Sequence, residues 1–214
     1  MYNIRMPKSM QLGRDFYRRN TLQVARELLG KRLVRVDNGQ RLAGIISEVE
    51  AYRGEEDLAC HARAGFTQRT KVMYGLPGYA YVYFTYGMHW MLNFVTEAEG
   101  YPAAVLIRAI TPVEGLEAIA ARRAFVAPQR WTDGPAKLCQ ALGIDGRQNG
   151  IDSCSSEAEI FVEEDQIIDQ SGITTSPRVG LNSVPEPWKS LPWRFRLQPA
   201  DQKSRLQFLS GYPG

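Results

Sequence analysis

Cysteine is scarce in this chain of 214 residues: Cys60, Cys139 and Cys154 are the only three, and they form no CxxC pair and leave an odd thiol. A disulfide framework is therefore excluded as the basis of the fold, and a reducing compartment, the cytosol, is expected. Histidine is scarcer still, with only His61 and His89, neither of which has a second metal-type ligand at a familiar spacing. No metal and no cofactor are expected on that ground. No apolar run approaches the roughly 18–20 residues of a membrane span, and the opening MYNIRMPKSM has no apolar signal core, so neither a membrane partner nor export is expected. A Gly-rich phosphate loop, a GxSxG elbow and a helix-borne HExxH are all missing, which removes several common enzyme classes. Strong charge of one sign is missing too: a net +3 permits a nucleic-acid partner without requiring one.

What the chain does have is a 44% hydrophobic content at a length that buries one sizeable core without dividing. Asn20 followed by Leu22, Ala25, Leu28 and Leu29, then Gly30, predicts a capped helix with a C-terminal stop. KRLVRV and RLAGIISEVEAY flank Asn38-Gly39, a pair that readily takes the positive φ angles of a tight turn, and together they predict a β-hairpin. The polar stretch from Arg53 to Gly78 is too long for an ordinary connection and reads as a functional loop. GYAYVYFTYGMHWMLNFV is rich in aromatic and β-branched residues and predicts two strands turning at Thr85-Tyr86-Gly87, with AAVLIRAI as a buried strand after it. Thr111-Pro112-Val113-Glu114 combines a cap, a proline at the first helical position and a closing glutamate, which predicts a helix from there to about Ala124. A shorter helix is predicted from Gly134-Pro135 to Gly143, and Trp193, Phe195 and Leu197 alternate as one face of a late strand. The expected fold is α+β: a single domain over residues 1–214, with a largely antiparallel, curved β-sheet flanked by helices and a protruding β-hairpin.

Chemistry concentrates in a few side chains. Glu48 and Glu50 leave the same face of a regular strand about 7 Å apart. Both can be plain solvated carboxylates, or one can be held in a pocket as a base tuned by burial and a neighbouring charge. Arg108 interrupts an apolar strand, and a buried guanidinium needs a carboxylate or phosphate, with Glu50 a candidate. Tyr79, Tyr81, Tyr83, Tyr86 and Trp90 crowd one hairpin. Most are expected in the core, but a ring at the turn, Tyr86, can act as a wedge between base pairs. Tyr52, Tyr83 and His61 are then candidates to sandwich an extruded base, since such stacking is worth roughly 1–3 kcal/mol per base.

The blocks SEVEAY, ACHARAG, GYAYVYFTYGM, MLNF, LIRAITPVEG and DGPAKLCQALGI, in this order from about Asp15 to Leu197, resemble the alkyladenine (3-methyladenine) DNA glycosylase family. The resemblance implies a monofunctional enzyme that flips alkylated or deaminated purines out of double-stranded DNA and hydrolyses the N-glycosidic bond with water, as a monomer initiating base excision repair. It further implies Glu50 and Arg108 as the catalytic pair that activates and holds the water. Tyr52, His61 and Tyr83 would bind the base, Asn93 would discriminate against the amino group of normal guanine, and the backbone at Val179 would line the water site. Tyr86 and Met88 would enter the duplex. Two departures stand out: Arg69-Thr70-Lys71-Val72-Met73 replaces an Arg-Asn pattern, which touches the loop's phosphate contacts, and His89 replaces an aromatic residue after YGM. No lysine has motif support as a Schiff-base nucleophile, so hydrolysis without strand cleavage is expected. Two other readings remain open from the residues alone: a non-catalytic nucleic-acid-binding module, and a hydrolase of free nucleosides.

Overall fold

The computed structural model describes residues 10–198. Most of the opening segment read above for a signal core, residues 1–9, lies outside the described residues. Four short helices, α1 (Arg14–Tyr17), α2 (Thr21–Leu28), α3 (Leu116–Arg122) and α4 (Pro135–Leu142), pack on a sheet of eight strands. These are β1 (Arg32–Asp37), β2 (Gln40–Arg53), β3 (Ala80–Thr85), β4 (His89–Val95), β5 (Ala103–Glu114), β6 (Ile160–Glu163), β7 (Ile173–Ser176) and β8 (Arg194–Leu197). The order along the main sheet is β3-β4-β5-β2-β1-β6, every pairing is antiparallel, and the fold is α+β. Among the described residues no helix is long and apolar enough to cross a membrane.

Local chemistry accounts for most of these elements. The Asn20 side chain accepts from the Leu22 N–H and starts α2, whose inward residues Val24, Ala25 and Leu28 are fully buried. Burying a leucine such as Leu28 contributes about 1.5–3 kcal/mol. Asn38 and Gly39 take φ of 49° and 78° between β1 and β2, as a two-residue hairpin turn requires. α4 starts on Pro135 and stops at Gly143 in the left-handed region, and Phe195 and Leu197 of β8 point into the core while Arg196 faces solvent.

The helix predicted from Thr111 is a correction. Thr111 to Glu114 instead continue β5, with Thr111 opposite Ile45, Pro112 opposite Gly44 and Glu114 opposite Ala43. Glu114 does not close a capping box; its carboxylate takes the Arg32 guanidinium at 2.5 Å and that of Arg41 at 2.6 Å. Sheet pairing and two ion pairs outweigh the local cap signal, and the missing N–H of Pro112 falls at a register shift beside Gly44. The helix begins at Leu116, after Gly115 with φ of 69°; a Cβ at Gly115 would lie 2.3 Å from Leu42 Cδ2 and 2.8 Å from the Arg41 carbonyl oxygen.

β2 is the strand that builds the site. Its first half pairs with β1 and its second half, Glu48 to Glu50, pairs with β8 on the same edge, while β5 runs along the other edge. Register shifts on both sides of Glu48 mark the change of partner. Irregularities of this kind re-aim side chains and recur beside functional sites.

Candidate active site

Cross-strand register brings the site together. Glu50 on β2 lies opposite Leu106 on β5, Leu106 lies opposite Asn93 on β4, and Asn93 lies opposite Tyr81 on β3. Directly paired residues project to the same face of a sheet, as do residues two apart along a strand, so Tyr52 and Tyr83 join this line. A cavity of about 350 Å³ opens over them. The loop between β2 and β3 closes one side through a 3₁₀ turn, His61–Ala64, and the segment around Val179, Gly180 and Leu181 closes another, with Pro135 at the start of α4 also on the wall.

Glu50 is fully buried at this cavity. Its Oε1 accepts from the Val179 backbone N–H at 2.7 Å, and its Oε2 accepts from the Tyr52 hydroxyl at 2.8 Å and from Arg108 Nη1 at 3.2 Å. All three partners donate, which is what a carboxylate accepts. Burial works against the Arg108 cation, but Glu50 and Glu48 outweigh it and hold its proton affinity above the usual guanidinium value. The Tyr52 phenol is pushed well up by burial and by Glu50, which keeps it a donor. Glu48 has a different surrounding: it accepts from Arg108 Nε at 2.6 Å and Arg194 Nε at 2.8 Å, and Arg196 Nε lies 3.3 Å away. Of the two carboxylates considered in the sequence, Glu48 anchors arginines and only Glu50 lines the cavity.

The aromatic wall is equally definite. The His61 and Tyr83 rings meet edge to face with centroids 4.5 Å apart, and Tyr81 and Tyr83 are 5.3 Å apart. His61 Nδ1 is 3.0 Å from the Tyr81 hydroxyl. Burial, with Arg69 and Arg63 nearby, lowers the His61 pKa to about 4, so its imidazole is neutral at neutral pH. Burial raises the phenols of Tyr81, to about 12, and of Tyr83. Asn93 is 3% exposed and its amide donates to the Tyr81 carbonyl at 3.0 Å.

Tyr86 stands at the β3–β4 turn with φ of 51°, followed by Gly87 at 67°, and its ring is 82% exposed at the cavity rim. Met88 is also exposed, but it borders a neighbouring cavity with His89, Trp90, Arg123 and Lys137, so the structure does not bring it to the main one. Thr70 is buried, donates to the Gly65 carbonyl at 2.8 Å and accepts from the Thr67 N–H at 2.8 Å, so this departure from the family pattern ties the loop to itself. Among the described residues no three His, Cys, Asp or Glu side chains converge as metal ligands would.

Sequence reasoning missed four contributors. Arg178 and Asp57 form a fully buried ion pair, with Arg178 stacked on the Tyr52 ring at 4.7 Å. Arg69 lies over the Tyr83 ring at 5.1 Å, and Tyr81 orients His61. Asp57, Arg69 and Arg178 lie in irregular segments with no pattern to mark them, Tyr81 was counted only among the hairpin's core aromatics, and the tertiary fold joins them.

The family model for methylpurine-DNA glycosylase matches residues 15–201 of the chain. The chain belongs to this family. Its similarity to individual members is high: it is 49% identical over 185 residues to a protein of Methanocella arvoryzae, covering 86% of this chain and 90% of that one. It is 46% identical over 197 residues to one of Desulfitobacterium hafniense, covering 88% and 95%, and 45% identical over 199 residues to one of Clostridium perfringens, covering 88% and 96%. The names of all three assign them as 3-methyladenine DNA glycosylases. The methylpurine-DNA glycosylase match thus spans every strand described above and every helix but for Arg14, the first residue of α1.

Proposed function

We propose that this chain is a monofunctional DNA glycosylase that extrudes methylated or deaminated purines, of the 3-methyladenine, 7-methylguanine and hypoxanthine type, from duplex DNA and hydrolyses their N-glycosidic bonds. The observation that carries this reading is the fully buried Glu50 carboxylate at the cavity, held by the Val179 N–H, the Tyr52 hydroxyl and Arg108.

In this reading Glu50 and Arg108 orient a water below the sugar. Glu50 takes its proton as the oxygen bonds to C1′, while the electrons of the glycosidic bond leave with the purine. The flipped base lies between Tyr52 on one side and His61 and Tyr83 on the other. A purine alkylated at N3 or N7 is cationic, so it is attracted to the tyrosine faces by about 0.5–2 kcal/mol and departs as a neutral base. A histidinium in the same wall would repel it, and the low pKa of His61, about 4, supports a neutral partner there. Asn93, against the cavity floor, would exclude the amino group of guanine. Tyr86 would fill the gap in the duplex, with Met88 beside it. No lysine lines the cavity among the described residues, in keeping with hydrolysis rather than Schiff-base chemistry and strand cleavage.

The exposed Tyr86 at a hairpin turn favours duplex DNA over free nucleosides as substrate. The test is incubation with duplexes carrying each lesion, alongside the corresponding nucleosides, followed by alkali cleavage and product sizing. Base release from duplexes only is expected; equal release from monomers, or binding without release, would overturn the reading.

A further inference from the structure

We propose that the buried Arg178–Asp57 ion pair is a positioning unit of the active site, clamping the segment 177–181 to β2 so that the Val179 N–H stays on Glu50 and the Tyr52 ring keeps its place. The inference rests on the reading of Glu50 as the base. Both side chains are 0% exposed, with Arg178 Nη1 and Nη2 reaching the two Asp57 oxygens at 2.5 and 2.9 Å. Nη1 also donates to the Ala51 carbonyl at 3.0 Å and Nη2 to the Trp188 carbonyl at 3.2 Å, and the guanidinium lies between the Tyr52 and Trp193 rings at 4.7 and 5.0 Å.

Stability alone does not account for such a pair. Removing two charges from water costs several kcal/mol per ion, and apolar side chains of similar volume commonly serve a core as well or better. What apolar contacts lack is the fixed fork geometry of a bidentate guanidinium. The segment 177–181 needs that geometry: it follows β7 as irregular chain, and Val179 is 46% exposed, so packing does not hold it. Its hydrogen bonds to β2 are those of Arg178 to the Ala51 carbonyl and of Val179 to Glu50. Asp57 in turn accepts from the Ala59 N–H at 3.0 Å, and its own carbonyl accepts from the Cys60 N–H, shaping the turn that leads into His61. One ion pair therefore joins the segment that contacts Glu50, the back of the Tyr52 ring and the approach to the opposite wall.

Loss of the clamp frees Val179 and takes from Glu50 one of the three donors that hold it. The experiment is single-turnover base release from a lesion-bearing duplex, with binding of the same duplex measured in parallel, for Arg178→Lys, Arg178→Met and the double variant Arg178→Met with Asp57→Leu. The double variant removes both charges, so it remains folded where a single change leaves a buried ion alone. The expected result is a single-turnover rate lower by on the order of 100-fold, as misplacement by about 1 Å produces. Lesion-duplex affinity is retained, which separates a misplaced catalytic group from a general loss of the fold. Arg178→Lys, which keeps the charge and loses the fork, recovers only part of the rate. A folded double variant with the wild-type rate overturns the proposal, as does one whose rate and duplex affinity fall together. Glu50→Gln, run beside it, separates the failures: if Glu50→Gln is inactive and the double variant is normal, only the clamp falls, and if Glu50→Gln turns over normally, the reading of Glu50 falls and takes the clamp with it.

Discussion

Tyr86→Asn separates the work of the hairpin tip from the stability of the fold. Tyr86 has φ of 51° and Gly87 φ of 67°, a turn in which both central residues are left-handed. For an ordinary L-residue this conformation costs roughly 1–2 kcal/mol, whereas asparagine tolerates it and is favoured at this turn position. The Tyr86 ring is 82% exposed, so its removal takes almost nothing from the core. The variant should therefore be more stable by about 1 kcal/mol, which at this size raises Tm by about 2–4 °C. If the ring stacks in the gap left by an extruded base, its loss costs about 1–3 kcal/mol of that complex, roughly 5- to 150-fold. Thermal unfolding measures the first effect, and titration of a lesion-bearing duplex with a fluorescent reporter of unstacking measures the second. A variant that gains stability and keeps full affinity and unstacking would refute the wedge; one that loses stability would refute the argument from backbone strain.

Two further perturbations probe the walls of the site. The pKa of His61 lies at about 4, below its ordinary 6.5, so between these values the unfolded chain holds the extra proton and stability declines as pH falls from about 6.5 towards 4. His61→Asn should flatten that part of the stability profile measured by denaturant unfolding, and an unchanged slope would show that His61 does not carry it. Glu48→Gln removes the charge that faces Arg108, Arg194 and Arg196, and should destabilise the protein by about 1.5–3 kcal/mol while lowering base release through a displaced Arg108. A variant with wild-type Tm and rate would leave Glu48 a peripheral ion pair.

What the sequence made legible was local. Asn38-Gly39 declares its turn through two residues that accept positive φ, Gly87 marks the second turn, and the alternation of Glu48, Glu50 and Tyr52 puts all three on one face of β2. Arg108 in an apolar strand required a buried partner, and Glu50 and Glu48 are that partner. The same local logic misled at Thr111 to Glu114, where cap chemistry pointed to a helix and long-range pairing with β2 made a strand. Arg178 and Asp57 were illegible for a related reason: they are 121 residues apart, each in an irregular segment, and nothing near either one signals the other. Contacts of this length come from the assembled sheet and its loops, and the sequence pattern of any one element does not contain them.

The central claim is that Glu50 activates the water that cleaves the glycosidic bond. Its direct measurement is single-turnover base release by Glu50→Gln on a 3-methyladenine- or hypoxanthine-bearing duplex, with binding of the same duplex measured in parallel. The amide keeps the shape and the acceptor for the Val179 N–H but cannot take a proton, so release should fall by about 10²- to 10⁴-fold while duplex affinity is kept. Wild-type release by this variant would contradict the account.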